Sequence, residues 1–179
     1  MRYKNLKSDF DKKYAEIIRV NQAGEFGAKR IYEGQLAILK GNKSYKVIKK
    51  MAKQEEKHLR TFNQIMISEG IRPTVLSPIW DIGGFLLGVS SAAIGEEAAM
   101  ACTVAVEEVI DKHYESQENY LKQHNDKKLL KTIKKFRKEE IEHKHTAIEN
   151  NALKAKNYKI LTKGIKTLTK VAILLSKKI

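Results

Sequence analysis

The sequence predicts an all-α fold, a four-helix bundle with a crossover segment and an extra C-terminal amphipathic helix, in a single domain spanning residues 1–179. Apolar residues recur every three or four positions through long stretches of the chain, which is the period of an α-helix. Only two prolines and ten glycines interrupt the chain, and 31% of its residues are charged, a composition typical of long helices. Two Glu-x-x-His patterns, one in each half of the chain, indicate where such helices would carry chemistry.

The first two helices are predicted from periodicity and from clear stop signals. The first runs from about residue 8 to residue 40, where Gly41-Asn42 ends it. The second runs over about 44–69, because Gly70 is a helix terminator and Pro73 prevents the helix from resuming.

The crossover segment, at about residues 70–95, has a different composition. Fourteen uncharged residues lie between Asp81 and Glu96, fewer than the roughly 20 that a membrane-spanning helix needs. Pro78 and Gly83-Gly84 are expected to break the run further. The segment is therefore either a buried connection between two helix pairs or a stretch that lies in a membrane surface.

The second half of the chain predicts three more helices. One starts at Ser91 or Glu96 and reaches His124, and the next continues from Asn125-Asp126 to about residue 150. The tail, at about 156–178, is predicted to be a basic amphipathic helix. Its lysines fall mostly off an apolar side formed by Ile160, Leu161, Ile165, Leu168, Ala172 and Leu175.

Charge and cysteine content narrow the function. The net charge is +14, but the lysines are scattered and no zinc finger, phosphate loop or RNA-binding signature accompanies them, so no nucleic-acid partner is predicted. Cys102 is the single cysteine and lies among apolar residues, so we predict a buried structural thiol in a reducing compartment. The N-terminus has no signal-peptide character, which favours a cytoplasmic, bacterial protein.

The most informative feature is a repeated set of carboxylates and histidines. Each Glu-x-x-His pattern is preceded by a glutamate on the previous helix, 30 residues upstream in the first set and 33 in the second. This is the ligand pattern of ferritin-like bundles that hold two iron or manganese ions. The predicted ligands are Glu25, Glu55, His58, Glu107, Glu140 and His143.

Helical phase separates these residues from a decoy. Glu142 and His145 form a third Glu-x-x-His pattern, but they share their helical face with Lys138 and other charged residues. Glu140 and His143 instead align with apolar residues such as Phe136. The same reasoning selects Glu25, Glu55, His58 and Glu107 as inward-facing and leaves Glu56 and Glu108 in solvent.

Charge balance favours metal over a purely structural explanation. Any one of these residues could be a core side chain with a satisfied hydrogen bond, but four buried carboxylates would repel one another strongly. Two divalent cations would neutralise four glutamates, and a set of carboxylates and imidazoles suits iron or manganese better than structural zinc.

Four motifs resemble the demethoxyubiquinone hydroxylase family, the ferritin-like di-iron carboxylate proteins known as 5-demethoxyubiquinol monooxygenases. They are IIRVNQAGEFGA at 17–28, RPTVL at 72–76 with Pro78 and Trp80, AMACTVAVEE at 99–108, and KKFRKEEIEH at 134–143. The resemblance covers about residues 16–178. The family pattern would have His and Tyr where this chain has Gln22 and Phe26, and neither position is a ligand.

The resemblance implies a function for the six predicted ligands, which match the iron ligands of the family. Two iron ions would activate O2 to hydroxylate the ring of a polyprenyl benzoquinol in ubiquinone biosynthesis, with NADH as the source of electrons. It also implies a peripheral location on the cytoplasmic face of a bacterial inner membrane. A homo-oligomer or a complex with ubiquinone-pathway proteins would be compatible with that location.

Two further residues, Tyr114 and His113, lie one to two helical turns from Glu107. Tyr114 shares its helical face and could support the metals or electron transfer, although a core tyrosine is the commoner explanation. Two other functions stay open at this stage. One is a ferritin-like iron-oxidising or storage protein, and the other is a non-enzymatic basic helical interaction module.

Overall fold

The computed structural model describes residues 8–178, and within that range it contains six α-helices, one short 3₁₀ helix and no β-strand. This confirms the predicted all-α, ferritin-like fold class. The α-helices are α1 (Asp9–Ile38), α2 (Tyr45–Glu69), α3 (Ser77–Ile94), α4 (Glu96–Gln123), α5 (Lys127–Glu149) and α6 (Tyr158–Lys178), and the 3₁₀ helix spans Ala152–Lys154.

The helix ends follow the local signals in the sequence. Ser8 and Asp11 form a capping box at the start of α1, in which Ser8 Oγ accepts a 3.0 Å hydrogen bond from the Asp11 amide. Gly70 ends α2 with a φ of 61°, in the left-handed region that favours glycine. Of the two predicted starts for α4, the structure selects Glu96, because Gly95 has a φ of 145° and interrupts the helix before it.

The chain forms two compact units. The first contains the described residues up to Ser90 and from Val171 onward, and the second contains Ser91–Lys170. In the first unit α1 packs on α2, and in the second α4 packs on α5. Each unit therefore pairs a helix that carries a single predicted ligand with a helix that carries a Glu-x-x-His pattern.

The predicted break in the segment 71–95 is wrong, because α3 is a continuous helix through Gly83-Gly84. Pro78 lies in its first turn, where the missing amide hydrogen costs little. In the first unit, Gly34 of α1 faces Gly88 of α3, and a Cβ on either glycine would collide with the backbone of the other helix. These glycines thus allow α1 and α3 to approach backbone to backbone.

Much of α3 is exposed, contrary to the interpretation of this segment as a buried connection. Its outward face is apolar and carries Ile79, Ile82 and Leu86, with Val75 exposed just before the helix begins. By length and composition α3 is the one helix, among the described residues, that could cross a membrane, and 17% of it is buried. Core helices of soluble proteins share this length and composition.

Helix α4 is buried on all sides along its first half, which the sequence did not predict. Every residue from Ala98 to Glu107 is buried. This includes Ala101, although it lies seven residues before Glu108 and thus on the same helical face. The reason lies in the same unit, where Ala155 packs with Ala98 and Ala101, and Tyr158 and Leu161 lie against this cluster.

The apolar side predicted for α6 is divided in the structure. Ile165 is buried, together with Thr162 and Ser176, whereas Ile160 and Leu168 are exposed. With 100° per residue, α6 has three faces: one packed on protein, one of exposed apolar residues, and a row of lysines between them. The lysine row consists of Lys159, Lys163, Lys166, Lys170 and Lys177.

Candidate metal centre

All six predicted ligands have buried side chains, with between 1% and 4% of each residue exposed. Their helices are long and regular, so each Glu-x-x-His pair lies on one helical face, one turn apart. We call Glu25, Glu55 and His58 the first triad, and Glu107, Glu140 and His143 the second triad. The first triad belongs to the first compact unit and the second triad to the second unit.

The first triad brings two carboxylates to one imidazole. His58 Nδ1 lies 3.5 Å from Glu25 Oε2, across the α1–α2 contact, and 4.0 Å from Glu55 Oε2 on its own helix. One ligand atom from each of the three residues lies within 4.8 Å of the other two. Such a spacing is compatible with a single ion bound among them, since iron or zinc holds nitrogen and oxygen ligands at about 2.0–2.2 Å.

The second triad has the same arrangement on α4 and α5. His143 Nδ1 lies 3.1 Å from Glu140 Oε2, within hydrogen-bond distance, and 3.9 Å from Glu107 Oε1. One ligand atom from each of these residues also lies within 4.8 Å of the other two. In both triads the imidazole therefore presents Nδ1 to the carboxylates.

The electrostatics of the second triad would favour a bound cation. Burial, together with the neighbouring Glu140 carboxylate, raises the pKa of Glu107 to about 8, although His143 opposes the shift. A carboxyl group that is held protonated by burial and by another carboxylate would be stabilised as an anion by a bound cation. The donor set therefore fits a divalent metal, with hard oxygen ligands and one imidazole in each triad.

The decoy residues lie where helical phase placed them. Glu142 and His145 are exposed on α5. Glu56, beside Glu55, pairs with the exposed Arg60 one turn later, at 2.6 Å. Glu108, beside Glu107, is about one-third exposed and pairs with Lys166 of α6 in the same unit. The structure brings none of these carboxylates into either triad within the described residues.

The remaining predicted residues also lie on α4. Tyr114 is buried, and His113 is partly exposed with its Nε2 2.8 Å from the side-chain nitrogen of Gln117. Cys102 is buried, as predicted, and burial raises the pKa of its thiol to about 12. A role for Tyr114 or His113 at the metals stays a prediction.

Sequence reasoning missed Arg137, which lies one turn before Glu140 and joins α5 to α4. It ion-pairs with three carboxylates of α4. The signal was present, because the chain uses lysine for most of its positive charge and Arg137 is the single arginine of α5. Its partners, however, are 19 to 26 residues away in the sequence, so periodicity could not identify them.

Fold and site together define an all-α protein of the carboxylate–histidine class, in which each of two helix pairs buries a Glu/Glu/His triad that could hold a metal ion. Residues 12–176 match the family described as "Ubiquinone biosynthesis protein COQ7". The chain therefore belongs to the COQ7 family, which confirms the resemblance seen in its motifs.

The curated relatives of this chain are named as demethoxyubiquinone or demethoxyubiquinol hydroxylases. It is 51% identical over 145 residues to the "NADPH-dependent 3-demethoxyubiquinone 3-hydroxylase, mitochondrial" of Dictyostelium discoideum, covering 76% of this chain and 67% of the relative. The human protein of that name is 52% identical over 127 residues, 69% of this chain and 58% of its own length. The "3-demethoxyubiquinol 3-hydroxylase" of Rhodospirillum rubrum is 50% identical over 127 residues, with the same coverage. The chain thus spans about 58–67% of these relatives.

Proposed function

We propose that this chain is a di-iron monooxygenase that hydroxylates the ring of 5-demethoxyubiquinol in ubiquinone biosynthesis. The observation that carries the proposal is the pair of buried Glu/Glu/His triads in a chain of the COQ7 family. The names of its relatives support the substrate, since they act on demethoxyubiquinone or demethoxyubiquinol. The family match covers nearly the whole chain, which supports one functional domain over 1–179.

In this proposal the six triad residues are the metal ligands. Four glutamates carry a charge of −4, which two divalent ions neutralise, and the histidines bind as neutral imidazoles. Two iron ions bound by these residues would carry out the reduction of O2. That both triads serve one pair of ions is our prediction from the repeated ligand pattern.

The residues of the chain would do three things. The triad carboxylates hold the ions at fixed positions, and the burial of all six ligands excludes bulk water from the reacting atoms. Tyr114, buried two turns after Glu107, is proposed to pack beside the ligand or to assist electron transfer, with His113 as its neighbour. One oxygen atom enters the ring and the other leaves as water, which consumes two electrons and two protons.

The electrons are proposed to come from a reduced nicotinamide. We predict NADH as the donor, whereas the names of the Dictyostelium and human relatives specify NADPH. Either cofactor delivers the required two electrons as a hydride. A direct comparison of the two reductants, with the iron-loaded protein and a quinol substrate, would decide between them.

We further propose that the protein binds the cytoplasmic face of a bacterial inner membrane peripherally. The exposed apolar faces of α3 and α6 support this, and α6 also carries a row of lysines beside its apolar face, which is typical of helices that lie in a lipid surface. Apolar side chains could then enter the acyl region while the lysines meet anionic headgroups. The polyprenyl tail of the substrate would reach the protein from the same bilayer. A homo-oligomer or a complex with other pathway proteins would be compatible with this location.

The test is hydroxylation of a short-chain demethoxyquinol by the purified, iron-loaded protein, with reductant and air. We expect a product that has gained one oxygen atom from 18O2, and about two iron atoms per chain. Iron oxidation without any hydroxylated product would instead favour a ferritin-like iron-oxidising or storage protein. A protein that binds no iron would favour a non-enzymatic interaction module.

A further inference from the structure

Arg137 ion-pairs with three carboxylates within the second unit. Its Nε donates a 2.6 Å hydrogen bond to Asp111, its Nη2 donates at 2.9 Å to Glu115, and its Nη1 donates at 3.3 Å to Glu118. All three carboxylates belong to α4, whereas Arg137 belongs to α5. Each nitrogen of the guanidinium is thus used to hold one helix against the other.

This contact lies one turn from the second triad on both helices. Arg137 precedes Glu140 by three residues, and Asp111 follows Glu107 by four, so each partner is adjacent to a triad residue on its helical face. A shift of Arg137 along α4 would therefore be expected to move Glu107 relative to Glu140 and His143.

The geometry is that of a rigid connection. The Arg137 side chain is 22% exposed, Asp111 23% and Glu118 10%, so the two inner contacts are partly withdrawn from water and Glu115 is the exposed one. A planar guanidinium with several fixed donors specifies an orientation, which a lysine ammonium does not. Burial alone would lower the pKa of Arg137, but its bonds to Asp111 and Glu115 raise the pKa above the ordinary value.

We propose that Arg137 is a positioning residue for the second triad, where it fixes the register of α4 against α5 and so sets the affinity and geometry of the metal bound by Glu107, Glu140 and His143. This inference rests on the proposed function, because it requires the second triad to bind metal. It assigns Arg137 no contact with the ion or the substrate.

The first unit has a weaker equivalent. There Gln22 Nε2, three residues before Glu25, donates a 3.1 Å hydrogen bond to Asn63 on α2. That contact is neutral, whereas Arg137 makes three charge-assisted hydrogen bonds between α5 and α4. Loss of Arg137 should therefore affect the second triad and leave the metal affinity of the first triad unchanged.

The experiment measures cobalt(II) binding by the full-length chain, from its visible absorption and from the increase in melting temperature that the ion produces. We expect Arg137→Gln to weaken the cobalt site of the second triad by about tenfold and to change its absorption. Arg137→Lys keeps the positive charge but loses the planar guanidinium with its fixed donors, so its cobalt affinity should lie between those of Arg137→Gln and the wild type. Asp111→Asn should also weaken cobalt binding. In the Arg137→Gln/Asp111→Asn double variant, the further loss of cobalt affinity should be smaller than the loss that Asp111→Asn causes alone.

The matched control is Arg60→Gln on α2. Arg60 also lies near a triad histidine, but its partner Glu56 is on the same helix, so its loss should leave cobalt binding unchanged. Circular dichroism of the metal-free proteins would check that each variant is folded. If Arg137→Gln does not fold, the cobalt affinities of Arg137→Lys and Asp111→Asn test the proposal instead.

Two results would overturn the inference in different ways. A folded Arg137→Gln protein with wild-type cobalt affinity and absorption would exclude the positioning role and leave the proposed function intact. If instead Glu107→Gln does not reduce the cobalt signal of the wild-type protein, the second triad is not a metal site, and both the ligand set and the role of Arg137 are excluded.

Discussion

Trp80 and Ser176 lie 96 residues apart in the sequence and are joined by a hydrogen bond, in which the Trp80 indole Nε1 donates to Ser176 Oγ at 3.0 Å. The bond connects the first turn of α3 to the end of α6 within the first unit. Ser176 is buried, so its hydroxyl depends on protein partners.

This bond predicts a measurable loss of stability when one partner is removed. Trp80→Phe deletes the donor and leaves a buried hydroxyl, which should lower the free energy of unfolding by about 1–3 kcal/mol. Urea denaturation would measure the change. In the Trp80→Phe/Ser176→Ala double variant the two losses should not add, and full additivity would show that the bond contributes nothing.

Substitution of the triad residues should separate true ligands from the decoy pair. Glu25→Ala, Glu107→Ala and His143→Ala should abolish hydroxylation and reduce bound iron, because each removes a buried ligand. Glu142→Ala and His145→Ala change exposed positions on α5 and should leave activity and iron content close to wild type. If Glu142→Ala and His145→Ala were as damaging, helical phase would not distinguish the ligands from the decoy pair.

Two glycines of α3 should respond to alanine in opposite directions. Gly88→Ala would drive a methyl group into the Ile31 carbonyl of α1 and should destabilise the protein by about 1–3 kcal/mol. A Cβ on Gly83 meets no atom within 4 Å, so Gly83→Ala should stabilise the helix by about 0.5–1 kcal/mol. Thermal unfolding of the two variants tests this, and equal shifts would contradict the close α1–α3 approach.

The exposed apolar faces predict binding to lipid vesicles. Ile82→Ser on α3 and Leu168→Ser on α6 should each lower the partition coefficient about tenfold, because each removes roughly 1.5 kcal/mol or more of apolar transfer energy. Co-sedimentation with vesicles that contain anionic phospholipid measures the effect. Ile67→Ser on α2 is the control, since Ile67 is as exposed as Ile82, at 63%, but belongs to neither apolar face.

The thiol of Cys102 should be unreactive in the native protein. With its pKa raised to about 12 by burial, roughly one thiol in ten thousand is ionised at pH 8, and only the thiolate attacks an alkylating reagent. Iodoacetamide should therefore modify Cys102 only after denaturation, as mass spectrometry would show. Reactivity should rise with pH toward 12, and rapid alkylation at pH 8 would contradict the buried position.

Several features could be predicted because they depend on neighbours along the chain. The ends of α1 and α2 agree with their predicted positions to within two residues, since capping residues such as Ser8 and terminators such as Gly70 act locally. The inward direction of Glu140 and the outward direction of Glu142 follow from the 3.6-residue period alone. That these buried residues bind metal stays a prediction from their pattern.

Other features depend on packing partners that hydrophobic periodicity cannot identify. The helical period puts Ala101 on the same face as the partly exposed Glu108, but Ala155, 54 residues later, packs against Ala101. It also placed Ile165 and Leu168 on one side of α6, although only Ile165 packs on protein. An apolar residue in the sequence is expected to avoid water. The sequence does not say whether that residue packs on another helix or lies on an exposed face that a membrane could cover.

The amino-acid sequence by itself determined five of the six α-helices, the six candidate ligands and the family, because each rests on residues within a few helical turns or on motifs read directly. Only the tertiary structure decided that Arg137 ties α5 to three carboxylates of α4, that Gly88 lets α3 approach α1, and that α3 and α6 keep apolar faces exposed. The physical reason is that these contacts join residues far apart in the chain, whose meeting depends on how whole helices pack.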